Sequence, residues 1–176
     1  MPESQVLLDS AAIKELVGQI ARKIGERKDG AEVVLVGIQR GGVLLAERLG
    51  RILSENWKQP VPVGRLDVNM HRDDLDQRPV PEVYPTVIPF DITGKRVILV
   101  DDVLFKGRTV RAAMDALNDF GRPQRIELAV LIDRGHRELP IQPDYVGREI
   151  ATKLQDTVHV RFREEGGGEA VYLESA

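Results

Sequence analysis

Three stretches of this chain are mostly apolar: "EVVLVGI" (32–38), "RVILV" (96–100) and "RIELAVLID" (125–133). None alternates between apolar and polar residues, as a strand with one wet face would. Short continuous runs of this kind suit strands covered on both faces, which is the situation of a parallel sheet between layers of helices. The intervening segments agree. Asp9-Ser10 caps a predicted helix over 11–28, with Ile13, Leu16, Val17, Ile20 and Ile24 at helical spacing and Asp29-Gly30 at its end. "QRGG" (39–42) reads as a turn before a helix over 43–56, and a further helix over 108–120 closes at Gly121. "VPVGRLDV" (61–68) is a fourth strand, and "TVHVRF" (157–162) and "EAVYLE" (169–174) are short strands split by the turn "EEGGG". Strand and helix alternate through the middle of the chain, so the fold class is α/β around a parallel sheet. Residues 134–147 read as irregular. Residues 71–89 carry four prolines and many charges, and read as a long mobile loop of the kind that closes over a site.

With 176 residues the chain is long enough for one domain with a substantial core. Its net charge of -3 gives no global sign of nucleic-acid binding, so any basic patch is local. There are no cysteines, which excludes disulfides and thiolate metal sites, and three scattered histidines do not make a metal centre. No apolar run is long enough to span a bilayer, and "MPESQVLLDS" is not a signal peptide, so a soluble cytoplasmic protein is expected.

The stretch with most chemistry is "VILVDDVLFKGRT" (97–109). Ligands of parallel sheets sit at the carboxyl ends of the strands, where Asp101 and Asp102 fall. The next turn feeds a helix N-terminus, whose free amides and dipole favour an anion. Gly107 permits close backbone approach and Thr109 adds a hydroxyl. One segment thus offers acceptors for sugar hydroxyls beside a cradle for a phosphate, although an acidic turn before a helix cap has the same outline. Neither a Walker loop nor a dinucleotide glycine fingerprint is present.

Strand, paired acids and a short glycine/threonine loop together resemble the phosphoribosyl-diphosphate (PRPP) signature of the type I phosphoribosyltransferases. "VLVGIQRGG", "PVGRLDV", "RDDL", "VDDVLFKGRTVRAAMDAL", "GRP" and "LIDRGHRELPI" run in the order found in the PyrR subfamily, bifunctional pyrimidine-operon attenuation regulators and uracil phosphoribosyltransferases. The resemblance covers roughly 6–160. It implies a central parallel sheet flanked by helices, a small hood over about 134–160 and a flexible loop over 71–89, in a single domain spanning 1–176. It implies conversion of uracil and PRPP to UMP and diphosphate, with Mg²⁺ held mainly through PRPP and no direct protein metal ligands.

By that resemblance Asp101 and Asp102 take the ribose hydroxyls. Val103, Leu104, Phe105, Lys106, Gly107, Arg108 and Thr109 form the 5′-phosphate loop. Arg40 and Gly41 belong to the diphosphate loop, and Arg134 contacts the PRPP or diphosphate end. The regulatory half implies uridine nucleotides (UMP, UTP) as effectors and a loop of pyrimidine-operon mRNA bound by Arg22, Arg27, Arg137 and Arg148 on a dimer face. His136 reads as structural. Lys106 stands where the subfamily has threonine, Arg40 lies one place early, and Tyr84 falls where relatives are basic. Lys153-Leu154 replaces a Ser-Arg pair, Gln142 an arginine and Gly18 a threonine. Two alternatives stay open from the sequence: an RNA-binding nucleotide sensor with weak or no catalysis, and a phosphoribosyltransferase for a purine.

Overall fold

The computed structural model describes residues 3–27, 30–73 and 82–176. The chain order is β1 (Ser4–Asp9), α1 (Ser10–Glu26), β2 (Val33–Ile38), α2 (Gly41–Trp57), β3 (Val63–Leu66), β4 (Arg96–Leu104), α3 (Arg108–Leu117), β5 (Arg125–Asp133), β6 (Tyr145–Glu149), β7 (Thr157–Arg161) and β8 (Ala170–Glu174), with short 3-10 turns at 69–71 and 163–165. Five strands form a sheet in the order β3-β2-β4-β5-β6, all parallel. The three mostly apolar stretches are its three central strands. Their side chains divide between two cores. Leu35, Ile98, Val100 and Leu131 face α1 and α2, while Val34, Val36, Leu99 and Val130 face α3.

Asp9 caps α1 as expected, its Oδ1 accepting from the Ala12 amide at 2.8 Å. The C-terminal end of that expected helix, at Asp29, and the centre of the proline-rich loop (74–81) lie outside the described residues. Asp74 and Asp76 fall there too.

Three local expectations change. β4 continues to Leu104, so Asp101 and Asp102 lie within the strand and the turn expected from Val103 begins two residues later. Residues 145–149, read as mostly irregular, form the edge strand β6, because pairing with β5 compensates for a glycine and two charges in five residues. The second sheet, β1-β8-β7, is antiparallel and uses both ends of the chain. The layer expected from 134–160 therefore draws on residues 4–9 and 170–174 as well, a pairing across more than 160 residues that no local pattern announces. Arg48 of α2 fastens this sheet: its Nε and Nη2 donate to Glu164 at 2.9 and 2.6 Å, it pairs with Glu169, and its guanidinium stacks 4.9 Å from the Phe162 ring.

At the opposite end of the main sheet a charged knot is sealed inside. Arg96 is 1% exposed and Glu127 1% exposed. Arg96 Nε donates to Glu127 at 2.7 Å, its Nη2 donates to the Tyr145 hydroxyl at 2.6 Å, and its Nη1 donates to the Arg27 carbonyl at 2.8 Å. Tyr145 donates to the same carboxylate at 3.0 Å. Burial alone would push the Glu127 carboxyl up, but Arg27 and Arg96 together hold it below the usual range. The knot ties the end of α1 to β4, β5 and β6. Glu127→Gln leaves a buried guanidinium without its counter-charge, and should lower the free energy of unfolding in urea by about 3–5 kcal/mol. Tyr145→Phe, which removes only a hydroxyl, should cost about 1–2 kcal/mol.

Candidate active site

The carboxyl ends of β2, β3 and β4 meet at one edge of the sheet, and two adjoining cavities open there. The first, of about 590 Å³, runs along Asp101 and the turn Val103–Val110 and is walled by Arg72, Asp73 and Glu138. The second, of about 400 Å³, lies between "QRGG" and the antiparallel sheet, with Gln39, Arg40, Gly41, Tyr84, Asp102 and Glu165 around it. Asp101 borders both.

Asp101 is buried and Asp102 half-buried. Each carboxylate accepts the next backbone amide: Asp101 Oδ1 from Asp102 at 2.9 Å, Asp102 Oδ1 from Val103 at 2.9 Å. α2 begins directly against them. A Cβ on Gly41 would overlap the Asp102 carboxylate, and one on Gly42 would overlap the Val100 carbonyl. The glycine pair is thus what lets the helix start sit on the acidic end of β4. Arg40 is exposed, and its guanidinium lies 5.6 Å from the Tyr84 ring. Tyr84 is placed by its own amide, which donates to Asp67 at 2.5 Å.

Gly107 enters α3 at φ +93°, a conformation that side-chain-bearing residues rarely adopt. The turn it makes leaves the amides of Lys106 and Gly107, and those of the first turn of α3, without backbone carbonyl partners among the described residues. They surround the first cavity. The carbonyls of the same turn point away and are taken: Leu104 accepts from Arg134 at 3.0 Å, Lys106 from Glu138 at 3.0 Å, Phe105 from Arg137 Nη1 at 2.9 Å. Thr109 Oγ1 accepts from Arg72. Arg108 donates to Glu138 at 3.0 Å and to Asp73 at 2.7 Å, and Lys106 pairs with Glu138 at 3.0 Å.

Three arginines have duties other than those expected. Arg134 is 4% exposed, with Nη1 on the Asp156 carbonyl at 2.6 Å and Nη2 on the Lys153 carbonyl at 2.9 Å. Its guanidinium lies 3.9 Å from the Phe105 ring, so it braces the turn from behind rather than facing a ligand, and burial lowers its pKa. Its Nε is buried without a hydrogen-bond partner among the described residues. Arg137 spends its donors on Ile141 at 2.8 Å, Phe105 at 2.9 Å and Asp133 at 2.6 Å. Arg27 pairs with Glu127 and lies 5.9 Å from the Tyr145 ring, because that buried acid needs a second cation. Arg22 and Arg148 are exposed, with no ion pair among the described residues. Arg72 and Glu138 are site residues that spacing did not reveal, since both arrive from segments about 30 or more residues away from the turn.

Burial, and the like charge of Asp102 beside it, hold the Asp101 carboxyl well above the usual carboxylate range; burial also raises Asp102. Such a pair is built to meet a cation or hydroxyl donors. No cluster of three acidic, histidine or cysteine side chains gathers for a metal among the described residues. Two oxygen donors at one place do fit Mg²⁺, which commonly keeps one or two carboxylates and takes its other ligands from water and substrate phosphates.

The chain belongs to the phosphoribosyl transferase domain family, which matches residues 4–165. Among curated relatives, Bifunctional protein PyrR of Chloroflexus aurantiacus is 51% identical over 175 residues, covering 98% of this chain and 96% of that one. Bifunctional protein PyrR of Streptomyces coelicolor is 51% identical over 173 residues, covering 97% and 90%. Among solved structures, a hypoxanthine-guanine phosphoribosyltransferase of Bacillus anthracis superposes with a TM-score of 0.72 at 20% identity, covering 99% of both chains. The hypoxanthine phosphoribosyltransferase of Trypanosoma cruzi gives 0.70 at 19% identity, covering 96% and 95%. These structural likenesses bear on the fold.

The raised pKa of Asp101 carries a pH signature. An acid that holds its proton more tightly in the folded state loses stability as pH rises from the ordinary carboxylate range through its folded pKa. Asp101→Asn should therefore melt higher than the parent at pH 8, by about 2–4 °C for each kcal/mol relieved, and the difference should shrink towards zero near pH 4. Differential scanning calorimetry across that range checks it.

Proposed function

We propose that this protein is a uracil phosphoribosyltransferase that also regulates expression of pyrimidine-biosynthetic genes by binding their mRNA in response to uridine nucleotides. The observation that carries the catalytic half is the juxtaposition of Asp101 and the open amides of 106–109 on one cavity, with Asp102 beside Asp101 on the adjoining one. A ribose 5-phosphate unit needs hydroxyl acceptors and a phosphate cradle at that separation. The regulatory half rests on the shared length and identity with proteins named bifunctional PyrR.

In the reaction the C1′–O bond to diphosphate breaks, the C1′–N1 bond to uracil forms, and N1 gives up its proton. Asp101 and Asp102 accept the ribose 2′ and 3′ hydroxyls and oppose the positive charge that develops on the ring. The amides of Lys106, Gly107, Arg108 and Thr109 hold the 5′-phosphate, with Val103–Phe105 setting the turn. Arg40 and the Gly41 amide receive the diphosphate. Mg²⁺, held mainly through PRPP, would supply neutralisation of the diphosphate charge. Arg134 keeps Phe105, and so the turn, in place. Catalysis on this reading is positioning together with fixed electrostatic stabilisation. Residues 71–89 serve as the closing loop of a single domain, and the antiparallel sheet as its hood.

For mRNA, Arg22 and Arg148 are the available cations, with Arg27 at their side already half-committed and Arg137 a scaffold residue. Phosphate contacts make such binding salt-dependent, and stacked unpaired bases give it specificity. A homodimer or larger homo-oligomer in the cytoplasm is the setting this reading implies, consistent with the absence, among the described residues, of a helix able to cross a membrane.

Steady-state UMP synthesis from uracil and PRPP tests the reading. The parent should turn over, and Asp102→Asn should lose about 10²–10³ of kcat/KM, the scale of one catalytic electrostatic contact. In filter binding, Arg22→Ala with Arg148→Ala should weaken leader-RNA affinity and flatten its salt dependence while UMP synthesis persists. UMP formation unaffected by Asp102→Asn, or RNA affinity unaffected by the double substitution, would overturn the corresponding half.

A further inference from the structure

We propose that Glu138 sets the affinity of the phosphate loop, masking its cations so that every phosphate ligand is weakened and only one with further contacts of its own stays bound. This rests on the reading of 103–109 as that loop. The two oxygens of Glu138 serve two different cations: Oε1 lies 3.0 Å from Lys106 Nζ, and Oε2 lies 3.0 Å from Arg108 Nε. Asp73 does the same for the outer side of Arg108, at 2.7 Å, and for Arg111, at 3.1 Å. Both cations of the turn are thus neutralised by protein carboxylates before any ligand arrives.

The mask cannot drift away. The Glu138 amide donates to the Lys106 carbonyl at 3.0 Å, and its neighbour Arg137 donates to Phe105 at 2.9 Å and Asp133 at 2.6 Å. The carboxylate rides on a segment laced to the turn it masks. Lys106 and Arg108 in turn hold the Glu138 carboxyl below its usual range, so it stays ionised at neutral pH.

A phosphate entering the cavity therefore gains the loop amides but meets two fixed negative charges on the wall, and draws on Lys106 and Arg108 only by displacing their partners. Orthophosphate has no other anchor. A phosphoribosyl ligand also engages, through its hydroxyls, Asp101 on the same cavity and Asp102 on the adjoining one. The weakening by Glu138 falls on both, and the ligand with the additional contacts stays bound at the lower concentration. It also explains why a lysine is tolerated where a hydroxyl is usual: its charge is already balanced. A purely structural clamp would act with the opposite sign, since loosening the loop would weaken every phosphate ligand.

Calorimetric titration of the full chain with orthophosphate and with ribose 5-phosphate tests this. Glu138→Gln should bind both about three- to tenfold more tightly than the parent, the range of a partly exposed ion pair, with a steeper loss of affinity as salt rises. Glu55→Gln, the same charge change in a separate cavity beside α1, should leave both unchanged. Asp73 masks the outer side of Arg108, so Asp73→Asn should also bind both ligands more tightly than the parent, and this variant tests the proposal even if Glu138→Gln folds poorly. Unchanged or weaker binding by a folded Glu138→Gln, an equal gain in Glu55→Gln, or unchanged or weaker binding by Asp73→Asn would overturn the proposal. Ribose 5-phosphate failing to bind the parent and every variant would instead overturn the phosphate-loop reading beneath it.

Discussion

Two carboxylates at the inner end of β4 are the constraint on which the rest of this structure turns. Asp101 is buried with Asp102 beside it, an arrangement that costs folding free energy in the free protein. Everything around the pair accommodates it. The glycines at 41 and 42 let α2 begin against it, the amides of Asp102 and Val103 partly solvate it, and Gly107 turns the chain so that a ring of open amides faces the same cavity. Stability is given up here for a cavity edged by buried acid and open amides.

The compensation lies at the other end of the same strand. Arg96 opens β4 and Asp101 lies near its close, so one strand carries both the sealed charged knot and the destabilising acids. Arg96, Glu127, Tyr145 and the end of α1 fix the register of three strands at their amino ends. Rigid strands then deliver the acids and the turn to their places at the carboxyl ends. The covering antiparallel sheet is fastened separately, through Arg48 and its two glutamates, so the roof of the second cavity and its floor are held by different interactions.

Much of this was readable in the sequence because the main strands are buried on both faces and their polar residues are too few to impose an alternating pattern. "EVVLVGI", "RVILV" and "RIELAVLID" became β2, β4 and β5, and the acids, the glycine pair and the phosphate turn fell at the predicted edge. β1 and β6 were not legible, since "SQVLLD" and "YVGRE" are short and owe their strand form to partners far along the chain. The duties of the arginines were not legible either. Arg27, Arg134 and Arg137 read in the sequence as contacts for ligand or RNA, yet each is engaged within the protein, by a buried acid, an aromatic ring or a carbonyl. Arg72 and Glu138 entered the site only through tertiary contact.

The central claim is that one turn after β4 receives a phosphate on its backbone while the adjacent acids receive the sugar. Backbone amide chemical shifts of ¹⁵N-labelled protein during titration with PRPP and Mg²⁺ test it directly. The account predicts the largest movements at Lys106, Gly107, Arg108 and Thr109, accompanied by Asp102 and Val103. Saturable binding that leaves those amides unmoved, with shifts concentrated elsewhere, would contradict it.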